Sequence, residues 1–136
     1  MKYLQYVPSL VMFAIIWYFS SQPSLQSDFI PMVDFFLRKW AHILEYMLLY
    51  LSLFFIFIRQ NLAPIYLQNW NIAHIYSFTI SFMVALSDEW HQTWVFGREG
   101  TPKDIVFDSI GFLLAYTVLY LWYIFFIDTK DTKKDL

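Results

Sequence analysis

The sequence predicts an all-α integral membrane protein, a bundle of four transmembrane helices with a short interfacial helix between the first two. Three observations support this fold class. Hydrophobic residues make up 59% of the 136 residues and charged residues only 15%, whereas soluble domains carry about a quarter charged residues. Aromatic residues reach 23%, and membrane interfaces favour Trp and Tyr. Finally, four apolar segments approach the roughly 20 residues that a helix needs to cross a bilayer core.

The four apolar segments are assigned as membrane spans. In chain order they are Leu4–Phe19, Trp40–Ile58, Ile72–Leu86 and Ile105–Ile127. We expect the third helix to continue past Trp90, and the fourth contains a single charged residue, Asp108, near one end. For the first segment a signal peptide is the alternative, because a lysine precedes it and small residues follow it. Removing that segment would leave three spans rather than an even bundle.

The segments that connect and follow the spans are more polar. From Pro31 onward, apolar residues that include Met32 and Phe35 fall on one side, which predicts the short helix along the interface. The membrane domain is expected to cover residues 1–127. Residues 128–136 mix both charge signs with almost no apolar side chains, so this tail is expected to be disordered.

The composition excludes several classes of function. With a formal net charge of −2, the chain lacks the basic field that nucleic acid binding requires, so the expected partner is the lipid bilayer and not nucleic acid. The absence of cysteine removes disulfides, thiolate nucleophiles and thiolate metal sites. The sequence also has no Walker loop, GxSxG elbow or Rossmann fingerprint.

The distribution of lysine and arginine sets the expected orientation. With a cytoplasmic N-terminus, the cations on the inner side are Lys2, Arg59, Lys130, Lys133 and Lys134. Those on the outer side are Arg38, Lys39, Arg98 and Lys103. Because the outer set lies among acidic residues, we attribute it to function rather than to topology. Both termini are therefore expected to be cytoplasmic.

The polar residues of the chain concentrate at one membrane surface. In four antiparallel spans, the start of the second, the end of the third and the start of the fourth lie on the same side. Polar residues from 39–46, 87–99 and 101–108 therefore converge, which predicts an outward-facing polar pocket. His74 lies at the opposite end of the third span and is interpreted as interfacial, with no role in the pocket.

The second span contributes a polar face to this pocket. Lys39, His42 and Tyr46 are spaced i, i+3 and i+7, so they lie on one side of the helix. Glu45 lies about one turn inside the span, where a lone carboxylate costs a few kcal/mol unless it is paired or protonated. Two interpretations of Glu45 stay open: it pairs with Lys39 or His42 and orients the helices, or it acts directly.

The end of the third span and the turn after it supply the next candidates. In the stretch SDEWHQ, Asp88 and Gln92 share a helical face, whereas Glu89 points to a different side. In the turn, Arg98 is the natural counter-ion of Asp108, or a clamp for an anion such as phosphate or carboxylate.

The fourth span begins with a helix-start pattern. Thr101, Pro102 and Asp104 fit a capping box, so Asp104 is interpreted as structural. One turn further on, Asp108 shares a stripe with Gly111. A small residue there lets another helix approach closely and carries Asp108 into the bundle interior.

A divalent metal is an alternative that depends on how the chain folds. His42 and His91, with Asp88, Glu89 or Asp108, offer the nitrogen and oxygen ligands that zinc or manganese accept. The sequence contains no short ligand pair such as HxxxH, so the case depends on tertiary convergence alone. We therefore predict no metal and no other cofactor.

Several motifs occur in order along the chain. They are YFSSQP after the first span, K-x-x-H-x-x-x-Y at 39–46, SDEWHQ at 87–92 and GREGTPKDIVFDSIG at 97–111. Together they resemble the VanZ-like family of bacterial membrane proteins, over nearly the whole chain up to about Ala115. Phe96 and Ala115 depart from the pattern, where proline and glycine are expected. Both departures affect turn shape or helix approach and not the ionisable residues.

The resemblance implies a multi-pass protein of the bacterial cytoplasmic membrane. The namesake of the family is linked to low-level resistance to the glycopeptide antibiotic teicoplanin. Because that drug acts on the outer face of the membrane, the link agrees with an outward-facing pocket, by analogy at the level of the family.

The leading hypothesis is a pocket that recognises an anionic envelope molecule, either a lipid headgroup or a cell-wall precursor. The expected ligand contacts are Lys39, His42, Tyr46, Asp88, Gln92 and Arg98. One alternative is a hydrolase or transferase acting on a lipid-linked substrate, with Glu89 or Asp108 as general base and His91 as general acid. The other is a polar network that locks the helices, in which case the function depends on a partner protein.

Overall fold

Helices form all the regular structure of the described part of the chain. A computed structural model describes residues 3–23, 31–60, 66–98 and 100–125. The elements are a 3-10 turn Leu4–Tyr6, then α1 Val7–Ser20, α2 Pro31–Gln60, α3 Tyr66–Gln92 and α4 Pro102–Tyr123. Within these ranges the all-α prediction is confirmed. The predicted tail at 128–136 lies outside the described residues.

The helix α2 is a single run of 30 residues, which at 1.5 Å per residue is about 45 Å long. Residues 31–39 are helical, as the sequence predicts, but a separate interfacial helix is wrong. These residues continue into the second span without a break. The reason is that Pro31 occupies the first turn, where proline is tolerated, and no glycine or proline follows it before Gln60.

Among the residues that the structure describes, two helical stretches are long and apolar enough to cross a membrane, Phe35–Arg59 within α2 and the whole of α4. The apolar stretch Leu4–Ser20, which includes α1, is shorter. The helix α3 has the required length but carries polar side chains that are buried inside the bundle: His74, Ser77, Ser81, Asp88, Glu89 and Gln92. In α3, therefore, polar side chains face the other helices.

Large apolar side chains cover the outside of the bundle. Leu44, Phe78, Leu113 and Trp122 are each about half exposed, while acidic side chains such as Asp108 are fully buried. A soluble fold would place such apolar side chains in its core and its acids in water. This reversed distribution indicates that lipid surrounds the helices.

His74 lies inside the bundle and not at an interface. It is 7% exposed, and its Nδ1 is hydrogen-bonded to the Tyr50 hydroxyl at 2.8 Å. Its ring packs against Phe54, Trp70 and Tyr116, with centroid separations of 4.5, 5.0 and 4.8 Å. The interfacial interpretation is therefore wrong, because α2 and α4 already cover this turn of α3.

The helices α2 and α4 come into backbone contact at Gly111. A Cβ atom at this position would meet the Ile43 carbonyl oxygen at 2.5 Å and the Met47 amide nitrogen at 3.0 Å. The neighbouring Phe112 is fully buried, and so is Asp108, one turn earlier on α4. The missing side chain of Gly111 thus permits the close helix approach that surrounds Asp108 with protein.

Gly111→Ala is expected to destabilise the bundle by about 1–3 kcal/mol, the usual cost of adding volume to a packed interior. The added methyl group meets backbone atoms, which cannot rotate away. Thermal unfolding in detergent measures the effect as a Tm lower by several degrees. Val106→Ile is the control, because it adds a methylene group at a residue that is 62% exposed. Equal Tm values for Gly111→Ala and the native protein would contradict the close contact.

Candidate functional site

A cavity of about 510 Å³ opens where the start of α2, the end of α3, the following turn and the start of α4 meet. Its volume is in the range of small-molecule sites, about 300–1,000 Å³. Four cations, one carboxylate and several neutral residues line it: Phe35, Arg38, Lys39, His42, Gln92, Gly97, Arg98, Thr101, Lys103, Asp104 and Phe107. All but Phe35 and Arg38 come from the three segments whose convergence the sequence predicts, and these two lie just before the first segment.

The residues predicted for the site divide between the cavity wall and the protein interior. Those that line the cavity are Lys39, His42, Gln92, Arg98 and Asp104. Those that are only 0–5% exposed and do not line it are Tyr46, Asp88, Glu89 and Asp108. A ligand in the cavity would therefore contact the lining residues directly. The buried residues would affect it only through the lining residues that they contact.

Lys39 forms an ion pair with Asp104, which joins α2 to α4. Its ammonium also lies over the rings of Phe35 and Phe107, at 5.4 and 5.1 Å from their centroids. A lysine with a carboxylate partner and two cation–π contacts holds two helices together. Its predicted contact with an anionic ligand is thereby weakened, because its charge is already matched within the protein.

The start of α4 differs from the predicted capping box. Thr101 is the N-cap residue and Pro102 lies in the first turn, but the Thr101 hydroxyl makes no cap hydrogen bond. The Thr101 N–H instead donates to Glu89 Oε2 at 2.8 Å, which ties the helix start to α3. The Asp104 carboxylate is drawn to the ammonium of Lys39, a charged partner that a cap hydrogen bond does not offer.

Two cavity-lining side chains are each backed by a buried carboxylate. His42 Nδ1 lies 3.1 Å from Oδ1 of Asp108. Gln92 Nε2 donates to Oδ2 of Asp88 at 2.9 Å. Hydrogen bonds of this kind in a low-dielectric interior hold both lining groups in a fixed orientation.

Tyr46 belongs to the interior and not to the cavity wall. Its ring stacks on His42 at a centroid separation of 6.4 Å, and its hydroxyl lies within electrostatic range of Asp88 and Asp108. Among the described residues, the Tyr46 hydroxyl and one oxygen of each of these acids are buried without a hydrogen-bond partner. Tyr46 and Asp88, both predicted as direct ligand contacts, are 0% and 2% exposed and do not line the cavity.

Arg98 anchors α1. Its Nε donates to the Gln22 carbonyl at 3.0 Å and its Nη2 donates to the Phe19 carbonyl at 2.8 Å. Carbonyls at a helix end lack intrahelical partners, and one guanidinium can satisfy two of them. The predicted Arg98–Asp108 ion pair is wrong, because Asp108 has His42 as its partner. Arg98 still lines the cavity, and a guanidinium has five N–H donors.

His91 faces α1 and does not line the cavity. Its Nε2 lies 3.1 Å from Ser21 Oγ, and its ring stacks on Trp17 at 4.1 Å. No hydrogen bond or ion pair within the described ranges joins His91 to Glu89 or Asp108. The geometry therefore does not bring His91, the predicted general acid, together with either predicted general base.

Glu45 is partly buried and lies within electrostatic range of His42, Asp88 and Asp108. In the part of the chain that the structure describes, it forms no ion pair with Lys39 or His42, whose partners are other acids. Glu45 therefore does not orient the helices by pairing with Lys39 or His42.

The histidines and acids of the site do not assemble into a metal centre. Among the described residues, no three or more His, Asp or Glu side chains form a group that could hold a metal ion. The two candidate histidines lie apart, because His42 lines the cavity whereas His91 packs on α1.

The cavity also includes residues outside the predicted set of ligand contacts. Arg38 and Lys103 belong to the outer set of cations, and Phe35 and Phe107 lie beside them on α2 and α4. Helical spacing could have predicted these residues. Phe35 and Lys39 are spaced i, i+4, as are Lys103 and Phe107, so each pair lies on one face of its helix.

The fold and the cavity together indicate a helical membrane protein with a polar site at one end of its bundle. A family model described as VanZ/LLP1 matches residues 2–125. The chain belongs to the VanZ/LLP1 family, which confirms the resemblance of its motifs. No curated protein and no solved structure matches the chain.

Glu89 lies just beyond the apolar stretch that ends at Leu86, where it joins α3 to the start of α4. Burial raises the pKa of its carboxyl to about 7, and the hydrogen bond from the Thr101 N–H opposes that shift only in part. The nearby carboxylates of Asp104, Asp108 and Asp88 raise the pKa further. Glu89 is therefore a group that changes its charge near neutral pH.

Glu89 is expected to make the folded state less stable as the pH rises from about 5 to about 8. Its pKa is about 7 in the folded protein and 4.5 in an unfolded chain, so the folded state binds more protons in between. The contribution of Glu89 to the free energy of unfolding is complete below its pKa in the unfolded chain. That contribution is lost as the pH rises through its pKa in the folded protein. Thermal unfolding at a series of pH values measures this. Glu89→Gln keeps an acceptor for Thr101 and removes the titration, so parallel curves for the two proteins would contradict the prediction.

Proposed function

We propose that the cavity binds the anionic headgroup of a cell-envelope molecule, either a membrane lipid or a cell-wall precursor. The observation that carries the proposal is the charge of the lining, where four cations face one carboxylate in a chain of formal net charge −2. That carboxylate, Asp104, is already paired with Lys39. The lining thus concentrates positive charge on a protein that is acidic as a whole, and such a field attracts anions.

The neutral residues of the lining support a headgroup as the ligand. Gln92 and His42 are held by buried carboxylates and present further hydrogen-bonding groups to the cavity. Phe35, also in the lining, is 45% exposed, so the cavity wall continues into the apolar surface of the bundle. An amphiphile fits this arrangement, with its anionic end in the cavity and its apolar part against the helices.

The family supplies the biological setting of the proposal. Its namesake is linked to low-level teicoplanin resistance, and teicoplanin acts on the outer face of the bacterial membrane. We propose that the cavity faces outward and that binding of an envelope molecule there contributes to such a phenotype. This step is an analogy at the level of the family, and the charge of the lining is independent of it.

Lys103→Gln is expected to weaken the binding of farnesyl phosphate about five-fold, because one exposed charge contributes about 1 kcal/mol. Lys103 is exposed at the cavity, so its replacement leaves the buried contacts of the bundle intact. Binding to the full chain in detergent is followed by tryptophan fluorescence at low and high salt. The affinity of the native protein should fall more steeply with salt than that of the variant.

Arg59→Gln is the matched control, because Arg59 is an exposed cation in the last turn of α2, at the other end from the cavity. Equal losses in both variants, or no loss in either, would contradict binding in the cavity. That result would favour a polar network that only locks the helices. A parallel titration with phosphatidylglycerol separates the two ligand sources, since a lipid-headgroup site prefers it and a precursor site prefers the isoprenoid phosphate.

We further propose that α1 and α3 cross the membrane together with α2 and α4. Four spans would put both termini on the same side of the membrane, and we propose that this side is the cytoplasm of a bacterial cell and that the cavity lies outside. The chain contains no cysteine, so single cysteines report the topology without interference. In intact cells, Lys103→Cys should react with a membrane-impermeant maleimide, and Arg59→Cys should react only after permeabilisation. The reverse pattern would overturn the outward orientation.

A further inference from the structure

His42 combines three features of a reactive histidine. It lines the cavity, its Nδ1 is hydrogen-bonded to Asp108 at 3.1 Å, and Asp108 is fully buried. An ionised carboxylate only accepts hydrogen bonds, so an ionised Asp108 favours the imidazole tautomer of His42 with its proton on Nδ1. The lone pair then lies on Nε2, the ring nitrogen that is not turned toward the buried acid. This is the arrangement of a histidine positioned for nucleophilic or base catalysis.

The rest of the lining favours phosphoryl chemistry over acyl transfer. Acyl transfer usually needs a hydroxyl or thiol nucleophile activated by a base. The chain has no cysteine, and in the described lining the sole hydroxyl belongs to Thr101, whose backbone N–H is bonded to Glu89. Phosphoryl transfer instead needs cations around the phosphoryl oxygens and a nucleophile in line, and Arg98 and Lys103 line the same cavity as His42.

We propose that this cavity is a hydrolytic site in which His42, positioned by Asp108, removes the terminal phosphoryl group of a lipid-linked diphosphate. The proposal rests on the proposed binding of an anionic headgroup and names its class. His42 is the catalytic residue, because its Nε2 would touch the reacting phosphorus. Asp108 is a positioning residue, because it acts through the imidazole ring.

The reaction balances with water as the only co-reactant. The Nε2 lone pair of His42 forms a P–N bond with the terminal phosphorus while the bridging P–O bond breaks, and that electron pair leaves with the lipid monophosphate. Water then attacks the phosphorus, the P–N electron pair returns to Nε2, and the water releases a proton. One lipid diphosphate and one water give one lipid monophosphate and one inorganic phosphate.

A diphosphate suits this lining better than a simple phosphate ester. An alkoxide leaving group needs a proton donor, whereas a phosphate departs as a stable anion and needs cations. The carboxyl group in the described lining belongs to Asp104, and Lys39 holds it as an ion pair. Arg98 and Lys103 are placed to stabilise the charge that develops on the departing phosphate.

Hydrolysis of farnesyl diphosphate by the purified full chain tests the proposal, with released phosphate measured colorimetrically. We expect turnover by the native protein and a loss of about 100-fold or more in His42→Gln. Asp108→Asn should lower kcat with little change in KM and shift the pH profile of kcat, which a purely structural role would not do. His91→Gln is the matched control, because His91 packs on α1 outside the cavity, and it should keep full activity.

Trapping of the intermediate keeps the test decisive if His42→Gln fails to fold. Native protein quenched during turnover of terminally ³²P-labelled farnesyl diphosphate should carry acid-labile label, and mass spectrometry should place it on His42. Label on another residue, or equal turnover by His42→Gln, would overturn the assignment. Binding of farnesyl diphosphate without phosphate release would overturn hydrolysis and leave the anion-binding function standing. No binding would overturn both.

Discussion

The architecture of the cavity depends on one contact, the approach of Gly111 on α4 to the backbone of α2. This contact sets the two helices side by side with their N-terminal ends at the same surface. One turn closer to that surface, Asp108 meets His42, and one turn further out, Asp104 meets Lys39. The three contacts share one face of each helix, because residues spaced three or four apart are neighbours on a helix surface. A larger side chain in place of Gly111 would therefore disturb both the Asp108–His42 pair and the Asp104–Lys39 pair.

The acids of the site receive different partners according to their position. Asp104 has the ammonium of a lysine, Asp108 has an imidazole, Asp88 has a side-chain amide and Glu89 has a backbone N–H. A carboxylate removed from water is costly unless something satisfies it, so each of these partners stabilises the bundle. The full cations, by contrast, gather at the cavity and not beside the most deeply buried acids. Positive charge is therefore concentrated at the cavity wall.

Periodicity and alternation predict most of the fold and the location of the site. The spacing of Lys39, His42 and Tyr46 predicts one helical face, and the predicted alternation of four spans places that face beside the end of α3 and the start of α4. The partner of an individual side chain was harder to predict, as Arg98 shows. Asp108 was the predicted partner, but the turn directs the guanidinium to carbonyls of Phe19 and Gln22. That choice depends on the path of the turn after α3, which composition and periodicity do not encode.

A structural network and a binding site are compatible descriptions of the same residues. Lys39 and Arg98 are fixed by contacts within the protein, so they do not lose side-chain freedom when a ligand arrives. His42 and Gln92 are likewise fixed by the acids behind them. A cavity whose walls are ordered in advance binds more tightly than one whose walls must be ordered by the ligand. The ion pair and hydrogen bonds that lock the helices therefore also hold the cavity lining in a fixed arrangement.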